Sequence, residues 1–228
     1  MTTKLDKNNI KCAVFDLDGT LLNTIKTINY YLNLALSTYG LGSVSKEDTM
    51  RFVGDGATKL IERALNCVGA DSSLFGSVYK TYNEAYNSSP YYLTEVYRGI
   101  SELLSALKGK GIRLAVLSNK PDFAVKATVG KFLPDTFDIV RGGVDGAPLK
   151  PSPDSLFAIL NELGFTPSET AYIGDSEPDV MTAQNSNIAL PIFVSYGFRT
   201  ADQLRAVGAE TIVDAPMDIL NIIKTDAT

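Results

Sequence analysis

Two rhythms of apolar and polar positions divide the chain. Residues 24 to 39, about 46 to 52, 56 to 68 and 71 to 88 repeat their apolar side chains at intervals of three and four, which predicts four amphipathic helices with no strand between them. From Ile100 onward the rhythm changes. Short apolar runs at 112 to 117, 137 to 140, 170 to 174, 189 to 194 and 211 to 213 alternate with helical segments at 99 to 108, 121 to 130, 153 to 163, 177 to 186, 200 to 207 and 216 to 223. Such alternation predicts a parallel sheet covered on both faces. An earlier strand, ending in Val14 and Phe15, precedes the helical block and has no helix of this alternating kind after it. The simplest architecture is an α/β protein: a Rossmann-like parallel-sheet core from residues 1–22 and 93–228, with an all-helical cap domain, 23–92, inserted after the first strand. The chain would cross between the two near 22 to 24 and 88 to 92. In an open parallel sheet the ligand lies beyond the carboxyl ends of the strands, so the residues that follow each strand are the place to look for chemistry.

Composition narrows the possibilities. The 228 residues are 45% apolar, enough for a large buried core, and 21 basic against 26 acidic residues give a formal charge of −5. No Lys/Arg stripe is long enough to follow a phosphate backbone, which excludes nucleic acid as the expected partner. Met1 to Asn9 is polar, and no stretch approaches the roughly 18 consecutive apolar residues of a membrane span, so no membrane association and a cytoplasmic location are expected. The two cysteines, Cys12 and Cys67, read as buried small hydrophobes in a reducing compartment. Histidine is absent, so acid/base work falls to carboxylates, lysine or tyrosine. Oligomeric state has no signature in the chain.

Four strand exits stand out. Val14-Phe15-Asp16-Leu17-Asp18-Gly19-Thr20 places two carboxylates where a buried strand breaks at a glycine turn, an expensive arrangement unless a cation meets them. Leu117-Ser118-Asn119-Lys120 closes a second strand ahead of Pro121. There a hydroxyl beside helix amides can bind an oxyanion, although turn and capping roles explain the same residues. Lys150-Pro151-Ser152-Pro153 holds a lysine between a strand and a helix start, where a solvated lysine would need no prolines. Ile173-Gly174-Asp175-Ser176-Glu177-Pro178-Asp179 is again strand, glycine and helix start. Asp179 fits a capping box with Ser176, while Asp175 lies ahead of the cap, and oxygens from both suit a hard octahedral cation such as Mg²⁺.

Taken in order, these four motifs resemble those of the haloacid dehalogenase superfamily of aspartyl-phosphate-forming hydrolases, and the helical insertion resembles that superfamily's small C1 cap. Phe52-Val53-Gly54-Asp55-Gly56-Ala57, leading into Leu60-Ile61-Glu62-Arg63-Ala64-Leu65, is similar to the cap of phosphoglycolate phosphatase-type members; a capped amphipathic helix explains it equally well. The resemblance implies a nucleophilic Asp16, an acid and then base at Asp18, and Thr20 orienting Asp18. It implies phosphoryl binding by Ser118, Asn119 and Lys150. It also implies Mg²⁺ held by Asp16, the Asp18 backbone carbonyl and Asp175, with Asp179 a direct or water-mediated partner.

The implied reaction is hydrolysis of a small phosphomonoester, phosphoglycolate-like, with the phosphorylated metabolite as the partner. The chemistry is coherent without the resemblance, because a carboxylate approaching a phosphate dianion meets repulsion of about 4 kcal/mol per like-charge pair at 4 Å and an effective dielectric of 20, which a divalent ion and a lysine offset. Alternatives are a β-phosphoglucomutase-like phosphosugar mutase, a pyrophosphatase-type hydrolase of the same superfamily, or a module that binds a phosphometabolite without turnover. A carbon–halogen hydrolase is disfavoured, since that branch does without the second aspartate and the metal. Arg51, Asp55 and Lys59 are candidates for specificity by position. Asn187 replaces an expected glycine at a site its side chain tolerates. Lys108-Gly109-Lys110-Gly111 reads as a helix end rather than a phosphate loop.

Overall fold

The computed structural model describes residues 9–223; the polar stretch 1–8 and residues 224–228 lie outside it, and with them nearly all of the Met1 to Asn9 segment. Six parallel strands form the main sheet: β1 (Cys12–Phe15), β4 (Arg113–Pro121), β5 (Ile139–Gly143), β6 (Thr170–Gly174), β7 (Leu190–Val194) and β8 (Ile212–Val213). Their order is β5-β4-β1-β6-β7-β8, so the first strand of the chain is central and later strands flank it. A separate short antiparallel ribbon is made of β2 (Leu22–Asn23) and β3 (Glu95–Val96), which fall between β1 and β4 in the chain. Its two strands stand on either side of the helical segment of the chain.

Each side of the sheet buries its own apolar layer. Phe15, Ala13, Leu114, Val116 and Ile173 pack with Leu103, Leu104 and Leu107 of α5 (Ile100–Gly109) on one face. Val14, Ala115 and Tyr172 pack with Leu156, Ile159 and Leu160 of α7 (Asp154–Leu163) and Val180 of α8 (Glu177–Asn185) on the other. Neighbouring strand residues thus point to opposite faces, and both faces are dry, which is why β1 reads as an unbroken apolar run rather than an alternating one.

Four helices lie between the ribbon strands: α1 (Ile25–Thr38), α2 (Lys46–Phe52), α3 (Gly56–Cys67) and α4 (Phe75–Ser88), the last entered through a 3₁₀ turn at Ser72–Leu74. They bury a separate cluster that includes Ile28, Leu32, Leu36, Ile61, Leu65, Val78 and Tyr82, to which the sheet side adds only Ala124 and Phe198. In α3 the buried residues are Leu60, Ile61, Ala64 and Leu65. Cys67 lies off that stripe and is exposed, contrary to the expectation that both cysteines are buried; Cys12 is buried. Helix α5 ends as the glycine spacing suggests, with Gly111 in the left-handed region and its N–H on the Lys108 carbonyl. Asn187 is left-handed too, at φ 51°. The remaining helices are α6 (Asp122–Phe132), α9 (Ala201–Ala206) and α10 (Pro216–Ile222). Among the described residues no helix is long and apolar enough to cross a membrane.

Candidate active site

Strand register assembles the site. Phe15 pairs with Val116 on one side and Ile173 on the other, so Asp16 leaves β1 level with Leu117 and Gly174, and Ser118 and Asp175 follow one residue later on the flanking strands. The Asp16 N–H donates to the Ile173 carbonyl at 2.8 Å, keeping the backbone straight to this point. Gly19 then turns it at φ 91°. A Cβ there would fall 2.2 Å from Asp175 Oδ2, so only glycine lets the loop after β1 pass against the end of β6.

Asp16, Asp175 and Asp179 offer oxygens that all lie within 4.8 Å of one another, and all three side chains are buried. Lys150, with 2% of its side chain exposed, stands 2.7 Å from Asp179 Oδ1 and 2.9 Å from Asp16 Oδ1. The Lys150 ammonium pairs with Asp16 Oδ1 off the ideal hydrogen-bond direction, and no other side-chain or backbone donor meets that oxygen. Thr20 Oγ1 donates to Asp175 Oδ1 at 2.9 Å and the Phe198 N–H to Oδ2 at 2.8 Å. Asp179 accepts from Lys150 and Tyr172 at Oδ1, and from the Asp175 N–H, the Ser176 N–H and Ser176 Oγ at Oδ2. It closes the expected capping box at the start of α8 and at the same time anchors the lysine.

Burial and the neighbouring Asp179 push Asp16 up to about 7, against the lowering pull of Lys150. Burial, with Asp16 and Asp179 beside it, also holds Asp175 well above the carboxylate range. In Asp179 burial is outweighed by Lys150 and the donated hydrogen bonds, and its carboxyl is lowered. Were all three carboxylates ionised beside one ammonium, two negative charges would stand uncompensated in a dry site, and the upward shifts of Asp16 and Asp175 answer that crowding. Burial of unpaired charge is costly, so the cluster either keeps protons on Asp16 and Asp175 or takes a cation in their place. Oxygen-only donors suit a hard metal ion, and Asp16 Oδ1 faces no donor but the Lys150 ammonium.

Asp18 faces the other way. Its carboxylate pairs with Lys120 Nζ at 2.9 Å, and that ammonium, 5% exposed, also sits 5.3 Å from the centre of the Tyr86 ring on α4. The Thr20 hydroxyl, expected to orient Asp18, is bonded to Asp175, because the turn at Gly19 swings it toward β6; Lys120 is the side chain that holds Asp18. Ser118 accepts from the Lys120 N–H, leaving its own O–H free to donate into the cavity. Asn119, expected to meet phosphate, spends its side chain elsewhere: Nδ2 donates to the carbonyls of Gly54 and Lys150 at 3.0 Å each, and Oδ1 accepts the Lys150 N–H at 2.8 Å. It shapes the lysine loop.

The structure therefore brings Asp16, Asp18, Ser118, Lys150, Asp175 and Asp179 to one end of the sheet. Above them is a cavity of about 80 Å³ whose roof comes from the helical block, with Val53, Ala57, Leu60, Tyr82 and Tyr86 as its apolar part and Asn83 and Asn87 as its polar part. Arg51, Asp55 and Lys59 do not line it. They are engaged with Asp48, Arg63 and Glu62 on the outer side. Sequence reasoning missed Lys120, Tyr172 and the Gly197-Phe198-Arg199 segment. The last follows β7, so the rule that ligands lie beyond strand ends pointed to it. Nothing local marked Lys120, whose partner is 102 positions away.

The site is thus a buried cluster of acids with a lysine at the carboxyl end of a parallel sheet, beneath a partly open cavity. Residues 13–192 match the family model described as haloacid dehalogenase-like hydrolase, and the chain belongs to that family. It is a phosphatase, a phosphoric monoester hydrolase similar to phosphoglycolate phosphatases. That of Rhodospirillum rubrum is 33% identical, with 90% of this chain and 87% of the relative covered. That of Haemophilus influenzae is 28% identical over 93% and 98%. A solved protein from Lactobacillus delbrueckii subsp. bulgaricus, provisionally assigned as a phosphoglycolate phosphatase, superposes with a TM-score of 0.88 at 31% identity, covering 95% of this chain and 99% of its own.

Proposed function

We propose that the protein is a Mg²⁺-dependent, cytoplasmic phosphatase that hydrolyses a small, phosphoglycolate-like phosphomonoester through an aspartyl-phosphate on Asp16. The observation that carries this reading is the make-up of the buried cluster, three carboxyl groups to one lysine, with Asp16 Oδ1 facing no donor but that lysine. Asp16, Asp175 and the Asp18 carbonyl are the fitting ligands. Asp179, whose oxygens are already filled by protein donors, acts indirectly. When bound, the metal ion neutralises charge on the acids and on the phosphoryl oxygens.

In the first step an Asp16 oxygen forms the bond to phosphorus while the ester P–O bond breaks, and Asp18 gives its proton to the departing alkoxide. In the second, Asp18 takes a proton from water as that water's oxygen attacks phosphorus, the acyl-phosphate P–O bond breaks, and Asp16 is regenerated with release of phosphate. Lys150 and the Ser118 hydroxyl hold phosphoryl oxygens, and Lys120 aims Asp18. We assign residues 23–92 as the cap that shields the leaving group and 1–22 with 93–228 as the catalytic core. The names of the relatives favour phosphoglycolate among the candidate esters.

The test is phosphate release from a panel of small phosphomonoesters with Mg²⁺. Activity is expected to vanish in Asp16→Asn and in chelator; turnover that survives both refutes the mechanism, and isomerised sugar phosphate without free phosphate would establish a mutase.

A further inference from the structure

Arg199, on the loop after β7, is 6% exposed and reaches across to the helical block. Its Nε lies 2.8 Å from both Glu177 oxygens. Nη1 donates to the Met50 carbonyl, and Nη2 to that of Val53 at 2.9 Å and more distantly to that of Arg51. These carbonyls are the open end of α2, where no intrahelical donor remains and the helix dipole is negative. Of the turn that follows, Val53, Gly54 and Gly56 line the same cavity as Asp16. Asn119 takes the next carbonyl, Gly54, from the core side. A guanidinium buried this deeply is costly to desolvate, and apolar packing would hold two surfaces together at least as well. What the fork adds is register: a planar set of donors fits one placement of three carbonyls and a carboxylate.

We propose that Arg199 is a positioning residue for catalysis, a latch that sets the Met50–Gly56 segment at a fixed height over the nucleophile and so closes the leaving-group chamber. The inference rests on the reading of residues 23–92 as a cap. Its anchor on the core is Glu177, two residues beyond Asp175, and the preceding Phe198 donates its N–H to Asp175. Docking of the cap turn and alignment of that carboxylate therefore run through adjacent residues. The space between is tight: a Cβ at Gly197 would lie 2.4 Å from the Gly19 carbonyl oxygen and 2.5 Å from Asp175 Cβ.

Two measurements on Arg199→Lys and Arg199→Met, with Glu177→Gln as a third variant should Arg199→Met fail to fold, decide the matter. Lysine keeps the charge and loses the fork. Amide hydrogen exchange should speed up over residues 50 to 56 while β1 and β6 exchange as in the wild type. Hydrolysis of 2-phosphoglycolate should fall by about 100-fold in kcat/KM, the scale of loss from slight misplacement of reacting groups. p-Nitrophenyl phosphate, whose leaving group departs without needing a proton or a closed chamber, should change less than about 3-fold on the same grounds. Wild-type exchange over 50 to 56 in the variants, or an equal loss for both esters, overturns the latch. If the wild-type protein hydrolyses neither ester, the functional reading fails and exchange alone decides, faster exchange supporting the latch and unchanged exchange refuting it.

Discussion

Asp179 shows how one side chain can be structural and functional at once. Its five donated hydrogen bonds tie Lys150, Tyr172 and the start of α8 into one unit. Lysine is held near Asp16 by this bracket rather than by the loop that carries it. Thr20 plays the matching part for Asp175, and its conversion to valine should weaken Mg²⁺ binding by about 10-fold, the lower end for groups that orient metal ligands; calorimetric titration would show it. Lys120 acts on the other acid. Lys120→Met should lower kcat by about 10- to 100-fold with little change in KM, since a misdirected acid forfeits part of the rate that general acid catalysis supplies. A raised KM at constant kcat would instead make Lys120 a substrate-binding group. Asp16, Asp18, Ser118, Lys150, Asp175 and Asp179 were readable from their places at strand exits. Lys120 and the Thr20–Asp175 bond were not, because each joins residues more than 100 positions apart.

Among the elements, the helical block packs on one apolar seam and the sheet on two. Ile61, fully buried on α3, touches the seam alone, and Ile61→Ala should cost about 2–5 kcal/mol of unfolding free energy in urea titration. The periodicity that predicted α1 to α4 is the same apolar stripe now seen at their interface, which is why their extents were legible. The β2–β3 ribbon was not foreseen. Two-residue strands carry no period, and the pairing of Leu22 with Val96 is a long-range contact. Strand β4 extends to Pro121, past the apolar run, because it keeps pairing with β5 through the register shift between Leu117 and Pro121 that seats Ser118, Asn119 and Lys120.

For the molecule as a whole, the acid cluster couples stability to pH and metal. Asp16, pushed up to about 7 by burial and Asp179, and Asp175, raised for the same reasons, bind more protons in the folded than in the unfolded protein between their ordinary range and their folded values. In the metal-free protein their contribution is therefore most favourable at low pH and declines as pH rises through about 7. On the proposed reading a divalent ion would take the place of the lost protons. Mg²⁺ should raise Tm more at pH 8 than at pH 5 in thermal scans; equal increments at the two pH values would contradict the assignment of these acids as its ligands.

By itself the sequence determined the element types, the α/β class with a helical insertion, and the acids and lysine at the strand ends, because apolar periodicity and glycine turns are local properties that survive without neighbours. Tertiary structure alone decided which partner each polar group meets. Thr20 turned to Asp175, Asn119 to the Gly54 carbonyl, Lys120 to Asp18 and Arg199 to the end of α2, since a buried donor goes to whichever acceptor the packed chain places within about 3 Å.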